Sequence, residues 1–208
     1  MVVGQSEVGT RAAILDAARD RLLADGYSRL STRKVAAEAR VPLSQLHYHF
    51  GSKNGLILAL LEVENQRRLH RQTSMYAATD VPLWQRYEQA CDYLEDDLES
   101  GYVRVLQEMI AAGWSEASVG EAVRAQIAGW YDLLTDVFTQ AESEHGQLGP
   151  FTAAELASLI STAFMGSEAL LLLGFDRQRM PIRSSLRRLG QLLRSWEDGQ
   201  TVTNGQRA

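Results

Sequence analysis

Pro42 is the residue that most limits what this chain can fold into. Proline has no amide hydrogen and its ring clashes with the preceding turn, so the helical patterns on its two sides must be separate helices. Before it, Thr32, Val35, Ala36 and Ala39 recur at i, i+3, i+4 and i+7, which makes one face apolar and small enough for close packing. After it a new helix starts at about Leu43. Helix, tight turn, helix is the helix-turn-helix layout.

The second helix can be read by angle. At about 100° per residue, Leu46 and Phe50 fall within roughly 60° of Leu43 and define its buried side. Ser44, Gln45 and Tyr48 then point outward, with His47 and His49 on the flanks and Lys53 at the next turn. Such a face suits a helix lying in the DNA major groove, where outer side chains bond base edges and flanking groups grip phosphates. Thr32, Arg33 and Lys34, in the first turn of the preceding helix, are within reach of phosphate in the same arrangement. The alternative for that turn is a cap at Thr32 and a solvated charge at Arg33.

Residues Thr10 to Leu60 resemble the DNA-binding domain of the TetR family of one-component transcriptional repressors. The residues that carry the resemblance are Thr32-Arg33-Lys34, Val41, Leu46-His47-Tyr48-His49-Phe50-Gly51-Ser52-Lys53 and Leu56. It implies a three-helix head followed by a helical domain with a cavity for an amphipathic or aromatic small molecule that releases the protein from DNA. The chain departs from the family pattern at Arg40, where glycine is usual, and at His47 and Asn54-Gly55. Arg40 implies either a different turn or left-handed strain of about 1 kcal/mol.

A net charge of −5 looks wrong for a DNA binder until it is divided along the chain. Residues 1–55 hold eight basic against five acidic side chains, while the remainder holds 13 against 21. A positive end on an acidic body concentrates attraction for phosphate at the end that reads DNA. One cysteine, Cys91, excludes an internal disulfide framework and points to a reducing cytoplasm. The opening residues carry neither the basic nor the apolar region of a secretion signal.

In chain order, residues 1–9 read as a flexible arm, and Thr10 as the N-cap of a support helix ending at Gly26. Ser52 reads as the N-cap of a long helix whose later part is polar. Because that helix links head to body, its tilt would move the recognition helix. Further helices run from Leu83 to a stop at Gly101, from Val103 to Ala112, and from a capping box at Ser118 and Glu121 to about Glu144. A second capping box, Thr152 with Glu155, opens a helix over about 153–173 that is apolar nearly all round. After Pro181, Leu186, Leu189, Leu192, Leu193 and Trp196 form a last amphipathic helix, and 198–208 reads as a disordered tail. The fold class is all-α: a three-helix head over 10–55 and a helical effector-binding and dimerisation domain over 56–197.

The all-round apolar helix must be covered on both sides. Membrane insertion is disfavoured by Glu168 and four Ser/Thr residues, so a second copy of the chain is the simpler cover. The expected dimer interface comprises Leu159, Met165, Ala169, Leu170, Leu173, Leu186, Leu189, Leu193 and Trp196. Large side chains between helices are either core or the lining of an apolar ligand cavity. From inner-stripe position, Tyr87, Met109, Trp130 and Phe164 are the candidates for ligand contact, with Glu168 paired either to Arg187 or Arg188 or to a polar group of the ligand.

No enzymatic constellation is visible, and neither a cofactor nor a metal site is expected. His47 and His49 stand about 200° apart around their helix and cannot share a metal. Cys91 lies in an inner stripe, where a free thiol is usually a small hydrophobe and only rarely a sensor. The chain therefore reads as a homodimeric repressor that binds a palindromic double-stranded DNA operator and is released by a small apolar or amphipathic effector. The alternative is a helical ligand-binding or interaction module without DNA binding.

Overall fold

Nine helices and no strand form among the described residues: α1 (Val3–Asp25), α2 (Thr32–Glu38), α3 (Leu43–Phe50), α4 (Lys53–Tyr76), α5 (Leu83–Glu99), α6 (Tyr102–Gly113), α7 (Ala117–His145), α8 (Ala153–Leu172) and α9 (Ile182–Gly205). The structure, a computed structural model, describes the backbone of residues 3–175 and 179–205 and the side chains of 7–175 and 179–199. The all-α expectation holds.

Several boundaries differ from the sequence reading. The arm expected over 1–9 is helical from Val3, and the tail expected over 198–208 continues α9 as far as Gly205; residues 1–2 and 206–208 lie outside the described residues. Neither stretch contains proline, and a helix already under way passes an isolated glycine at about 1 kcal/mol. Thr10 is accordingly inside α1 rather than at its start. Helix α7 opens at Ala117, not at a cap on Ser118. The Gly120 amide bonds the Glu116 carbonyl at 2.9 Å, which begins the helical ladder one residue earlier. The second capping box is present, with Thr152 accepting from the Glu155 amide and the Glu155 carboxylate accepting from the Thr152 amide.

The chain divides into two compact units, residues 1–67 with 101–126, and residues 68–100 with 127–208. This differs from a single cut at residue 55: α6 and the start of α7 belong with the helix-turn-helix. In the first unit Ile14, Ala18 and Leu22 of α1, Val35 and Ala36 of α2, Leu46 of α3 and Leu56, Ile57 and Leu61 of α4 are buried. Gly26, at φ 75, ends α1 with its amide on the Leu22 carbonyl.

In the second unit, Leu83, Tyr87, Ala90 and Cys91 of α5, Phe138 of α7, Ala157 and Ile160 of α8 and Leu186 of α9 are buried. Polar groups lie inside as well. Arg68 and Arg71 both bond Asp97, at 2.9 and 2.7 Å. The carboxylate of Glu197 on α9 accepts from the Leu83 and Trp84 amides, both at 2.9 Å, and so caps α5, whose N-cap residue Pro82 offers no side-chain acceptor.

Candidate nucleic-acid interface

The recognition helix is held by its own amphipathic pattern. Leu46 and Phe50 are buried and Leu43 half-buried, while Ser44, Gln45, His47 and Tyr48 are exposed. Tyr48, at 76% exposed, is a large ring held in solvent by a helix whose opposite side is anchored. Its neighbour His49 is half-buried and meets the Tyr48 ring edge-on, with centroids 5.2 Å apart. His47 donates from Nδ1 to the Gly51 carbonyl at 2.9 Å, because a carbonyl can only accept, and Nε2 is left as the ring's remaining polar atom.

The turn before α3 is built by α2. The Val41 amide bonds the Ala36 carbonyl at 3.0 Å and the Arg40 amide bonds that of Ala37 at 3.2 Å, the paired closure of a Schellman motif. This places Arg40 at φ 55, in the left-handed region that an L residue occupies at a cost of about 1 kcal/mol or more. Of the two alternatives the sequence left open, strain within an ordinary turn is the one adopted. The turn after α3 has its own requirement: a Cβ on Gly55 would lie 2.0 Å from the Phe50 carbonyl oxygen. The Gly55 amide instead donates to Ser52 Oγ at 3.1 Å, so Ser52 caps α4 as expected.

The cations of this unit divide into committed and uncommitted groups. Arg21 lies 3.3 Å from Glu38 and 3.7 Å from Asp25, and Lys34 lies 3.3 Å from Asp25, whose carboxyl is held below its usual range chiefly by that lysine. Lys53, expected on phosphate, donates to the Tyr27 carbonyl at 2.7 Å and lies 4.5 Å above the Tyr27 ring. Desolvation there lowers its pKa, opposed by the Glu116 carboxylate. The side chains of Arg33 and Arg40 are exposed and make no ion pair or hydrogen bond among the described residues. Thr32 is half-buried at the start of α2.

Tyr27 is also the centre of a polar seam that sequence reasoning missed. Its amide donates to Glu108 at 3.1 Å and its hydroxyl to Asn54 Oδ1 at 3.4 Å; Asn54 Nδ2 in turn donates to Glu116 at 3.1 Å. Two carboxylates from α6 and the α6–α7 turn thus hold the connections on either side of the helix-turn-helix.

The residues expected to line a ligand cavity are not gathered into one unit. Met109 is fully buried in the first, whereas Tyr87, Trp130, Phe164 and Glu168 belong to the second. Tyr87 and Phe164 do meet, edge to face at 6.0 Å, and the Tyr87 hydroxyl donates to the Leu186 carbonyl at 3.0 Å. Arg187, one expected partner of Glu168, is bonded to Asp92 at 2.5 Å. Cys91 is buried, and burial pushes its thiol up to about 11, which removes thiolate chemistry at neutral pH. Among the described residues no group of three or more side chains suited to a metal converges.

Of the residues expected at a dimer interface, Leu159 and Leu173 are exposed at 52% and 74%, and Met165, Ala169, Leu170, Leu189, Leu193 and Trp196 are half-buried. Leu186 does not belong with them. At 5% exposed it is core, facing inward where its own carbonyl meets Tyr87. Trp196 donates from its indole to the Gln147 carbonyl at 2.9 Å. Leu172, Phe175, Met180 and Leu192 add to the exposed apolar surface. Helix α8 is long and apolar enough to cross a membrane by length and composition, with a mean hydropathy of 1.3.

An anchored outward-facing helix set across a four-residue turn from a small-residue helix supports a helix-turn-helix DNA-binding transcriptional regulator. Residues 14–60 match the family signature described as bacterial regulatory proteins, tetR family. The chain is also similar in fold to solved structures. These include the reduced form of E. coli NemR (15% identity, TM-score 0.72, covering 88% of this chain and 96% of that one) and a TetR-family regulator from Agrobacterium tumefaciens (18%, 0.74, 91% and 98%). A TetR transcription regulator from Haloarcula marismortui is similar to the same degree (18%, 0.74, 91% and 97%). No curated protein sequence matches the chain. Residues 14–60 are thus a TetR-type DNA-binding segment, which supports a DNA-binding transcriptional regulator.

Proposed function

We propose that this protein is a homodimeric repressor that binds a palindromic operator and is released by a small apolar or amphipathic effector. The observation that carries the reading is the exposure of Ser44, Gln45 and Tyr48 over the buried anchors Leu46 and Phe50. Ser44, Gln45, His47, Tyr48 and His49 read base edges or line the groove, while Thr32 and Arg33 meet phosphate. Lys34 and Lys53 assist by fixing the head, since both are held by groups of the protein itself. A second copy covers α8 and the exposed part of α9, and two recognition helices related by a two-fold axis then read half-sites one or more turns of B-DNA apart, roughly 34 Å each.

The effector binds in the second unit near Tyr87 and Phe164, and its signal travels along α4, which starts beside the recognition helix and continues into that unit. Linkage requires that DNA weaken effector binding by the factor with which effector weakens DNA binding. The protein works where its DNA is, in the cytoplasm.

Selection from a randomised duplex pool tests the reading. The protein should enrich a palindrome, and Gln45→Ala should relax preference at one or two base pairs of each half-site while leaving the rest intact. Enrichment of no sequence, or an unaltered preference in Gln45→Ala, contradicts it.

A further inference from the structure

We infer that Arg40, outside the recognition helix and absent from every expected contact, is a phosphate-binding residue that aligns the head on DNA. The inference rests on the DNA-binding reading above. Arg40 is the one non-glycine residue with positive φ among the described residues. Glycine would hold the same Schellman closure without strain, so stability alone gives no reason for an arginine.

An outlier of this kind, kept against a local penalty, points to a use for the side chain. The charge distribution identifies that use. Arg21, Lys34 and Lys53 are all engaged by groups of the same unit, whereas Arg40 is exposed and unpaired among the described residues. It stands three residues before Leu43, where α3 begins and presents Ser44 and Gln45. A guanidinium there flanks the groove-reading face, and it offers planar, bidentate donors that suit a phosphate.

Two substitutions separate the role from the strain. Arg40→Gly removes the charge and the strain together, so the free protein should melt about 2–4 °C higher while its affinity for the selected duplex falls roughly five- to tenfold. Arg40→Lys keeps a charge and should retain most of the affinity. The slope of log affinity against log salt should become shallower by about one unit per protomer in Arg40→Gly, with the ranking of base sequences unchanged.

Unaltered affinity and salt slope in Arg40→Gly, with Gln45→Ala still changing sequence preference, would overturn the inference and leave the DNA-binding reading standing. A loss confined to particular base pairs would equally overturn it, since a phosphate contact carries no sequence. If the wild-type protein binds no duplex in the pool, the underlying reading fails instead.

Discussion

Helices α3 and α8 are opposite solutions to the same problem of an exposed face. Helix α3 is short, and its outward residues Ser44, Gln45 and Tyr48 carry polar groups that water can serve until DNA replaces it. Helix α8 buries only Ala153, Ala157 and Ile160, and it leaves Leu159, Leu172 and the following Leu173 in solvent. An exposed polar face over a buried anchor is a surface ready to exchange partners. An exposed apolar face of this length is, on the homodimer proposed above, a surface covered by a lasting partner. The difference separates a reversible contact, which must be stable when empty, from an obligate one.

The largest effect that tests this contrast is inside α3. Leu46→Ala removes a fully buried anchor and should destabilise the protein by about 3 kcal/mol in denaturant unfolding. Tyr48→Ala, on the same helix but in solvent, should stay within about 0.5 kcal/mol of wild type while losing operator affinity. Equal losses of stability in the two variants would mean that Tyr48 is structural and α3 has no free face.

On α8 the expected pattern is reversed in kind. Leu173→Asp should leave the helical content of the protomer intact but raise the dimer dissociation constant by roughly 30-fold, about 2 kcal/mol, in sedimentation equilibrium. A dimer unmoved by that charge would place the interface elsewhere and break the comparison.

Lys53, which sequence spacing assigned to DNA, is tied by the structure to Tyr27. Lys53→Ala should lower stability by about 1 kcal/mol, as the loss of one charge-assisted hydrogen bond at a half-exposed site. Its effect on the salt slope should be small beside that of Arg33→Ala, which should change it by about one unit. A full unit lost in Lys53→Ala would return the residue to the phosphate-contacting set.

Where the sequence was legible, one strong local rule decided the outcome. Pro42 forces a break, glycine follows Asp25 and Phe50, and 100° per residue sorts α3 into inner and outer sides with Leu46 and Phe50 inside. Where it was not, the deciding contact was distant. The later part of α4 read only as polar, yet Glu64, Arg68 and Gln72 continue the buried stripe of Ile57 and Leu61 at helical spacing. That register was visible in the sequence, but Asp97, 29 residues beyond Arg68, was needed to make burial of Arg68 tolerable. The hydrogen bond of Lys53 was hidden for the same reason, since its acceptor is a carbonyl 26 residues away. Met109 and Tyr87 both sit on inner stripes, and periodicity cannot tell which core a stripe faces.

The smallest expected effect tests the start of α8, where this largely apolar helix carries a charged cap. The Glu155 carboxyl is held below its ordinary value of 4.5, first by the Thr152 amide that donates to it and then by the Thr152 hydroxyl. Because the folded value is the lower one, the unfolded chain binds more protons between the two, and stability rises with pH across that window. The contribution is complete above the unfolded value and disappears as pH falls through the folded one. Glu155→Gln retains an acceptor without a charge, so the thermal midpoints of the variant and wild type should differ at neutral pH and converge in acid. A gap of the same size at both ends of the titration would show that the carboxylate acts by shape alone and that the charge at the α8 N-terminus contributes nothing.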